Sequence, residues 1–184
     1  MNNGKVILIE SSSRNKSNSN YLANLVLKNI KHELINLNEI KIDKIRDHRF
    51  DGNWDDSKDD FYKYIKKLEK SEYVIIASPV YWYSFSTNLK IFIDRWSESL
   101  KKDNQFKNSM KDKKIILVLV GGDNPRIKAL PIINQMQYIC DFLNMNFFDY
   151  VIGFGNHFGD IKKDKEAIEK GNCINYRLVN KGEE

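Results

Sequence analysis

Short, almost wholly apolar stretches recur along the chain. Four of them are rich in Val and Ile, and they cover residues 6–9, 73–77, 115–120 and 147–152. Because they are continuously apolar rather than alternating, they are typical of strands buried on both faces of a parallel sheet. A weaker stretch at residues 33–37 predicts an edge strand.

The segments between these stretches have the spacing of amphipathic helices. Leu22, Val26 and Ile30 recur every four residues, and similar patterns cover residues 85–100 and 130–143. The sequence Ser57-Lys58-Asp59-Asp60 resembles a capping box that begins a helix continuing to Lys70. A last helix is predicted for residues 165–178, although Gly171 interrupts its pattern.

Strands and helices therefore alternate from one end of the chain to the other. Strict alternation predicts an α/β fold with three layers, in which helices cover both faces of a five-stranded parallel sheet. The expected strand order is 2-1-3-4-5, as in flavodoxin-like proteins. A length of 184 residues fits one domain spanning residues 1–184.

Composition narrows the classes of function. The net charge is +5, but charges of both signs are interspersed, so we expect no nucleic-acid partner. The two cysteines, Cys140 and Cys173, favour neither a disulfide scaffold nor a metal site. No apolar run approaches the ~20 residues of a membrane span, and the N-terminus shows no leader pattern. We expect a cytoplasmic protein that binds no membrane and no metal.

The loop after the first strand has the composition of an anion site. Residues 11–20 contain five hydroxyls, three side-chain amides and the cations Arg14 and Lys16, and they lead into a helix. A phosphate there would meet helix N–H groups, hydroxyl donors and a guanidinium. The alternative is a plain polar turn with Ser17 or Asn18 as helix cap, and composition favours neither.

Two later loops would meet the first one at the carboxyl edge of the sheet. Residues 78–86 contain three adjacent aromatic residues, which would cover a flat ring, a partner chain or the core. Gly121 and Gly122 would let the backbone approach a ligand, or would form a simple tight turn. His157, in a loop after the fifth strand, is interpreted as a surface residue. A phosphate site beside a flat apolar surface suits flavin mononucleotide (FMN).

Two motifs resemble those of a known family. Ser78-Pro79-Val80-Tyr81-Trp82, followed by residues 88–95, resembles the S-P-V-Y-W…L-K-x-F-I-D-R signature of the NADPH-dependent FMN reductase family. Ser12-x-Arg14 followed by Ser17-Asn18-Ser19 is similar to that family's phosphate loop. The resemblance spans nearly the whole chain.

The resemblance implies a set of FMN-binding residues. Those that would hold the phosphate are Ser12, Arg14, Ser17, Asn18 and Ser19. Those that would wrap the ribityl chain and the ring edge are Pro79, Val80, Tyr81 and Trp82. Those that would face the other side of the ring are Gly121, Gly122, Asp123 and Asn124. The resemblance also implies a homodimer in which both chains shape the flavin site.

Three departures and three charged positions bear on this interpretation. Glu10-Ser11 stands where the family commonly has Gly, and Tyr83 stands where it often has Gly or Asn. The cysteine cluster of the iron–sulfur branch is missing. Asp94 and Arg95 are interpreted as structural, with the subunit interface as one place for them. Lys113, in the basic segment 111–114, is expected in a solvated turn.

The expected activity is an oxidoreductase reaction carried out on the flavin. NADPH or NADH would give hydride to flavin N5, and the reduced flavin would then reduce a small-molecule acceptor such as a quinone, an azo or nitro compound, or free flavin. No catalytic side chain is required. The main alternative is a flavodoxin-type FMN electron carrier without NAD(P)H activity. Further alternatives are an interaction module that has lost its flavin, and a hydrolase, for which the sequence lacks a triad.

Overall fold

The five apolar stretches form a single parallel sheet. The computed structural model describes residues 5–51 and 58–180. The strands are β1 (Val6–Glu10), β2 (Glu33–Asn36), β3 (Tyr73–Pro79), β4 (Lys114–Gly121) and β5 (Asn146–Phe154). All neighbours pair in parallel, in the order β2-β1-β3-β4-β5. The predicted fold class and strand order are confirmed.

Helices cover both faces of this sheet. They are α1 (Asn18–Val26), α2 (Phe61–Glu69), α3 (Thr87–Asp94), α4 (Trp96–Lys102), α5 (Phe106–Met110), α6 (Pro125–Lys128), α7 (Leu130–Leu143) and α8 (Lys165–Val179), with a 3₁₀ turn at Asp160–Lys163. Along β1, Ile7 and Ile9 join the core under α2, α3 and α7, whereas Leu8 joins the core under α1 and α8. Burial on both faces explains why the strands are continuously apolar.

The amphipathic pattern at residues 85–100 forms two helices rather than the one expected. Arg95 lies between α3 and α4, and its side chain is only 1% exposed. The guanidinium pairs with the carboxylates of Asp59 and Glu98 and lies 4.4 Å from the ring centroid of Phe61. The suggestion that Arg95 lies at a subunit interface is wrong, because the side chain is buried within its own chain. Asp94 is half-exposed and pairs with Lys90.

The start of α2 differs from the predicted capping box. Ser57 lies outside the described residues. Asp60 precedes the helix without a capping bond from its side chain, and the Asp59 carboxylate instead accepts the Phe61 N–H at 3.1 Å. The helix ends at Glu69, close to the predicted end.

The sequence predicted that Lys113 lies in a solvated turn, and this prediction is wrong. Its side chain is buried, and its Nζ donates to the carbonyl oxygens of Glu69, at 2.9 Å, and of Ser71. These carbonyls lie at the C-terminal end of α2, where a helix leaves acceptors unpaired, since Glu69 is its last residue and Ser71 is two residues beyond it. Burial lowers the pKa of Lys113 from 10.5 to about 8.

Among the helices of the described ranges, none combines the length and the apolar character that crossing a membrane requires.

Candidate functional site

A cleft of about 240 Å³ opens among the loops that follow β1, β3, β4 and β5. Most residues that the sequence proposed for FMN line it. They are Ser12, Arg14, Ser17, Asn18, Ser19, Pro79, Val80, Tyr81, Gly121 and Gly122. Lining residues that sequence reasoning did not propose are Lys16, Val120, Gly155, Asn156 and Phe158. Trp82, Asp123 and Asn124 do not line the cleft.

The first loop brings hydrogen-bond donors and positive charge to one end of the cleft. Ser17 is the N-cap of α1, but its side chain makes no capping bond, and the first turn contains no acidic residue. Its Oγ lies 2.8 Å from Ser19 Oγ, and Ser12 Oγ accepts the Arg14 N–H at 3.2 Å. Because unpaired N–H groups and the helix dipole favour anions, this end fits a phosphate group.

Asn18 connects this loop to the one after β5. Its side-chain Nδ2 donates to the carbonyl oxygen of His157 at 2.8 Å, and its Oδ1 accepts the Gly159 N–H at 2.8 Å. A Cβ atom on Gly155 would lie 2.7 Å from Asn18 Nδ2, so this approach requires glycine. The side chain of Asn18, which the resemblance assigned to the phosphate, is engaged in holding another loop.

The loop after β5 forms a wall of the cleft that the sequence analysis left unassigned. Asp160 accepts the backbone N–H groups of His157 and Asn156, at 2.8 and 3.3 Å, and these bonds lower the pKa of its carboxyl. The Arg14 guanidinium reaches the carbonyl of Asn156 at 3.4 Å. His157 itself is exposed, as predicted. The signal in the sequence was the three glycines at positions 153, 155 and 159, near and after the end of β5.

The loop after β3 continues the opposite wall. Its Val80 N–H donates to the Val120 carbonyl at 2.9 Å, which extends the sheet pairing beyond β3. Tyr81 lies in the cleft, and its hydroxyl is 3.4 Å from Ser13 Oγ. Trp82 was expected to wrap the ring edge, but its side chain is 94% exposed.

The loop after β4 divides into two parts. Gly121 and Gly122 line the cleft, and a Cβ on either would lie 3.1 Å from a neighbouring side chain. The carboxylate of Asp123 instead accepts bonds from Lys128 Nζ at 2.6 Å and from the Tyr83 hydroxyl at 2.8 Å. Both bonds lower the pKa of Asp123.

Glu10 does not obstruct the cleft, although the family commonly has Gly there. Its carboxylate lies near Asn24 of α1, with Nδ2 to Oε1 at 3.5 Å, and it does not line the cleft. Burial raises the pKa of this carboxyl. The following residue, Ser11, binds the carbonyl of Ala77 through both its N–H and its hydroxyl.

Comparison with known proteins agrees with this geometry. The model of the NADPH-dependent FMN reductase family matches residues 4–154. A Bacillus subtilis (strain 168) protein, provisionally named an NAD(P)H-dependent FMN-containing oxidoreductase, is 37% identical in an alignment of 167 residues that covers 89% of this chain and 92% of that protein.

Two solved structures share the fold. The Trp repressor binding protein from Bacillus subtilis is 32% identical with a TM-score of 0.79, over 97% of this chain and 100% of that one. An FMN-dependent NADH-azoreductase from Bacillus anthracis, solved with FMN, has a TM-score of 0.67 over 96% of this chain and 99% of that one. At 14% identity, the second likeness shows the fold alone.

Proposed function

The chain belongs to the NADPH-dependent FMN reductase family, and from this premise we propose that its cleft holds FMN for the transfer of electrons from NADPH or NADH to a small acceptor. One observation carries the proposal. The anion-binding end of the cleft and the walls formed by the β3, β4 and β5 loops are parts of one continuous cavity.

The donors of the first loop match the FMN phosphate. Ser12, Ser17 and Ser19 supply hydroxyls, and Arg14 and Lys16 supply positive charge at the same end of the cleft. A phosphate dianion is stabilised by charge-assisted hydrogen bonds of this kind. Asn18 contributes indirectly, because it fixes the wall formed by residues 155–159.

The volume of the cleft bears on how the rest of the cofactor is held. At about 240 Å³ the cleft is smaller than most ligand sites, which usually measure roughly 300–1,000 Å³. We propose that the phosphate and ribityl chain are enclosed while the ring system lies against Tyr81 and the glycine loop, with one face open. An open face suits an enzyme whose two substrates must each approach the ring.

Bound flavin supplies the redox chemistry, since its ring accepts a hydride and passes the electrons on. The protein's own residues bind and orient it, and none needs to act as nucleophile or general acid. We propose a quinone, an azo or nitro compound, or free flavin as the acceptor class. Action in the cytoplasm, without a nucleic-acid or membrane partner and as one domain spanning residues 1–184, stays a prediction.

We also propose a homodimer. A groove of about 380 Å³ runs between α7 on one side and α3 and α4 on the other, and in it Tyr138 is 72% and Phe142 61% exposed. Exposed aromatic side chains beside a groove are typical of interaction surfaces. Light scattering should give a mass of two chains for the wild type and of one chain for Phe142→Glu. A monomeric wild type would contradict the proposal.

The function is tested by loading the purified protein with FMN, desalting it, and following the flavin band anaerobically as NADPH and then NADH is added. We expect the flavin to be retained and then bleached. Retained flavin that neither nucleotide bleaches would indicate an electron carrier. Loss of flavin on the column would indicate a module without a cofactor.

The phosphate end is tested separately by an FMN titration of Arg14→Ala. Loss of one charge-assisted contact of about 1.5–3 kcal/mol should weaken FMN binding roughly 10- to 150-fold. Arg46→Ala is the matched control, because Arg46 is exposed and lies outside the cleft. Equal affinity for the two variants would remove Arg14 from the site.

A further inference from the structure

Two bulky aromatic residues occupy a turn that normally requires glycine or asparagine. Trp82 and Tyr83 have φ angles of +48° and +61°. Two backbone bonds between Tyr81 and Ser84, at 3.1 and 3.0 Å, close the turn around them. Both central residues of such a two-residue hairpin lie in the left-handed region, for which Asn-Gly is the usual sequence. Holding large side chains there costs conformational free energy, and such strain concentrates at functional sites.

The two residues differ in what they contact. The Tyr83 hydroxyl donates to Asp123 at 2.8 Å, and Lys128 Nζ lies 5.5 Å from the ring centroid and 2.6 Å from the same carboxylate. Tyr83 therefore ties the turn to the loop after β4. Trp82, by contrast, is 94% exposed, so packing within the chain does not offset the strain of its backbone.

The position of the turn indicates a role for the side chain of Trp82. Its neighbour Tyr81 lines the cleft, and Asp123, to which the turn is tied, directly follows Gly121 and Gly122, which also line it. The turn that carries Trp82 is thus attached to residues next to the cleft, through Tyr81 at its start and through the bond from Tyr83 to Asp123. We propose that Trp82 is the stacking surface for the flat, aromatic electron acceptor. This inference rests on the proposed function.

A small aromatic ligand suits this surface better than a second copy of the chain. Stacking needs one flat face of the indole, and in the proposed binding mode the ring system of FMN would have one open face. A subunit contact needs a larger apolar area, which the groove of Tyr138 and Phe142 offers. Among the described residues, those lining the groove and those lining the cleft do not overlap.

The test uses the oxidised, FMN-loaded protein without NAD(P)H, so that binding is measured and no turnover occurs. The probe is 2-methyl-1,4-naphthoquinone, titrated into wild type, Trp82→Asn and Trp82→Phe while the flavin spectrum is followed. Loss of one aromatic pair should weaken binding roughly 2- to 12-fold in Trp82→Asn, and Trp82→Phe should restore most of it. Tyr176→Ala is the control, since Tyr176 is an exposed aromatic residue outside the cleft.

A second measurement separates this role from a structural one. Asparagine adopts positive φ readily, so the Tm of flavin-free Trp82→Asn should equal or exceed that of the wild type. A lower Tm, an altered oligomeric mass or an unchanged naphthoquinone affinity would each overturn the proposal. Failure of the proposed function is distinguishable, because it shows as wild-type protein that does not retain FMN, and the role of Trp82 then falls with it.

Discussion

Asn18→Ala tests whether the side-chain amide of Asn18, the most buried amide of the first loop, stabilises the loop after β5 or binds the phosphate of FMN directly. The substitution removes two hydrogen bonds of 2.8 Å, to the His157 carbonyl and from the Gly159 N–H. At about 0.5–1.5 kcal/mol net for each bond, the loss is about 1–3 kcal/mol. For a chain of this length that lowers Tm by roughly 2–12 °C. The flavin-free protein should already show this loss.

Differential scanning calorimetry of the flavin-free protein is the assay, followed by an FMN titration. Asn15→Ala is the matched control, because Asn15 is exposed in the same loop. We expect Asn18→Ala to lower both Tm and FMN affinity, since residues 155–159 lose their attachment. A variant with wild-type Tm but weakened FMN binding would refute the reasoning and make Asn18 a direct phosphate ligand.

Three further substitutions probe the surrounding structure. Gly155→Ala would bring a Cβ to 2.7 Å from Asn18 Nδ2, and the forced shift should cost about 1–3 kcal/mol in urea unfolding; an unchanged midpoint would contradict this close packing. Arg95→Ala removes the buried cation that neutralises the carboxylates of Asp59 and Glu98 and should destabilise by about 3–5 kcal/mol, whereas a cost below 1 kcal/mol would show that water replaces the guanidinium. Burial lowers the pKa of Lys113 from 10.5 to about 8, so the unfolded chain binds more protons between these values. Relative to Lys113→Met, wild-type stability should therefore rise by up to about 3 kcal/mol from pH 8 to 10.5, and parallel pH profiles of the two proteins would exclude the shift.

Local pattern was sufficient for the five strands and for the longer helices between them, but not for the short helices α5 and α6. Continuous apolar stretches identified the strands because a strand that is buried on both faces needs apolar residues at every position. Ile7 and Leu8 illustrate this, since they belong to the cores on opposite faces of the sheet. The hydroxyls and cations before α1 were equally visible, because an anion site at a helix N-terminus is built from consecutive residues. The motif that begins at Ser78 was visible for the same reason, because it too consists of residues that are close together in the sequence.

Tertiary structure alone decided the partners of individual side chains. Asn18 bonds to a loop 139 residues away, and Lys113 donates to carbonyls 42 and 44 residues away, because strands that are distant in sequence lie side by side in the sheet. The buried carboxylates around Arg95 accompany a break in what the periodicity alone presented as one helix. A one-dimensional pattern records which residues are apolar and how often they recur. It does not record which polar atoms the folded sheet brings within hydrogen-bonding distance, and that distance determined the role of Asn18 and the wall formed by residues 155–159.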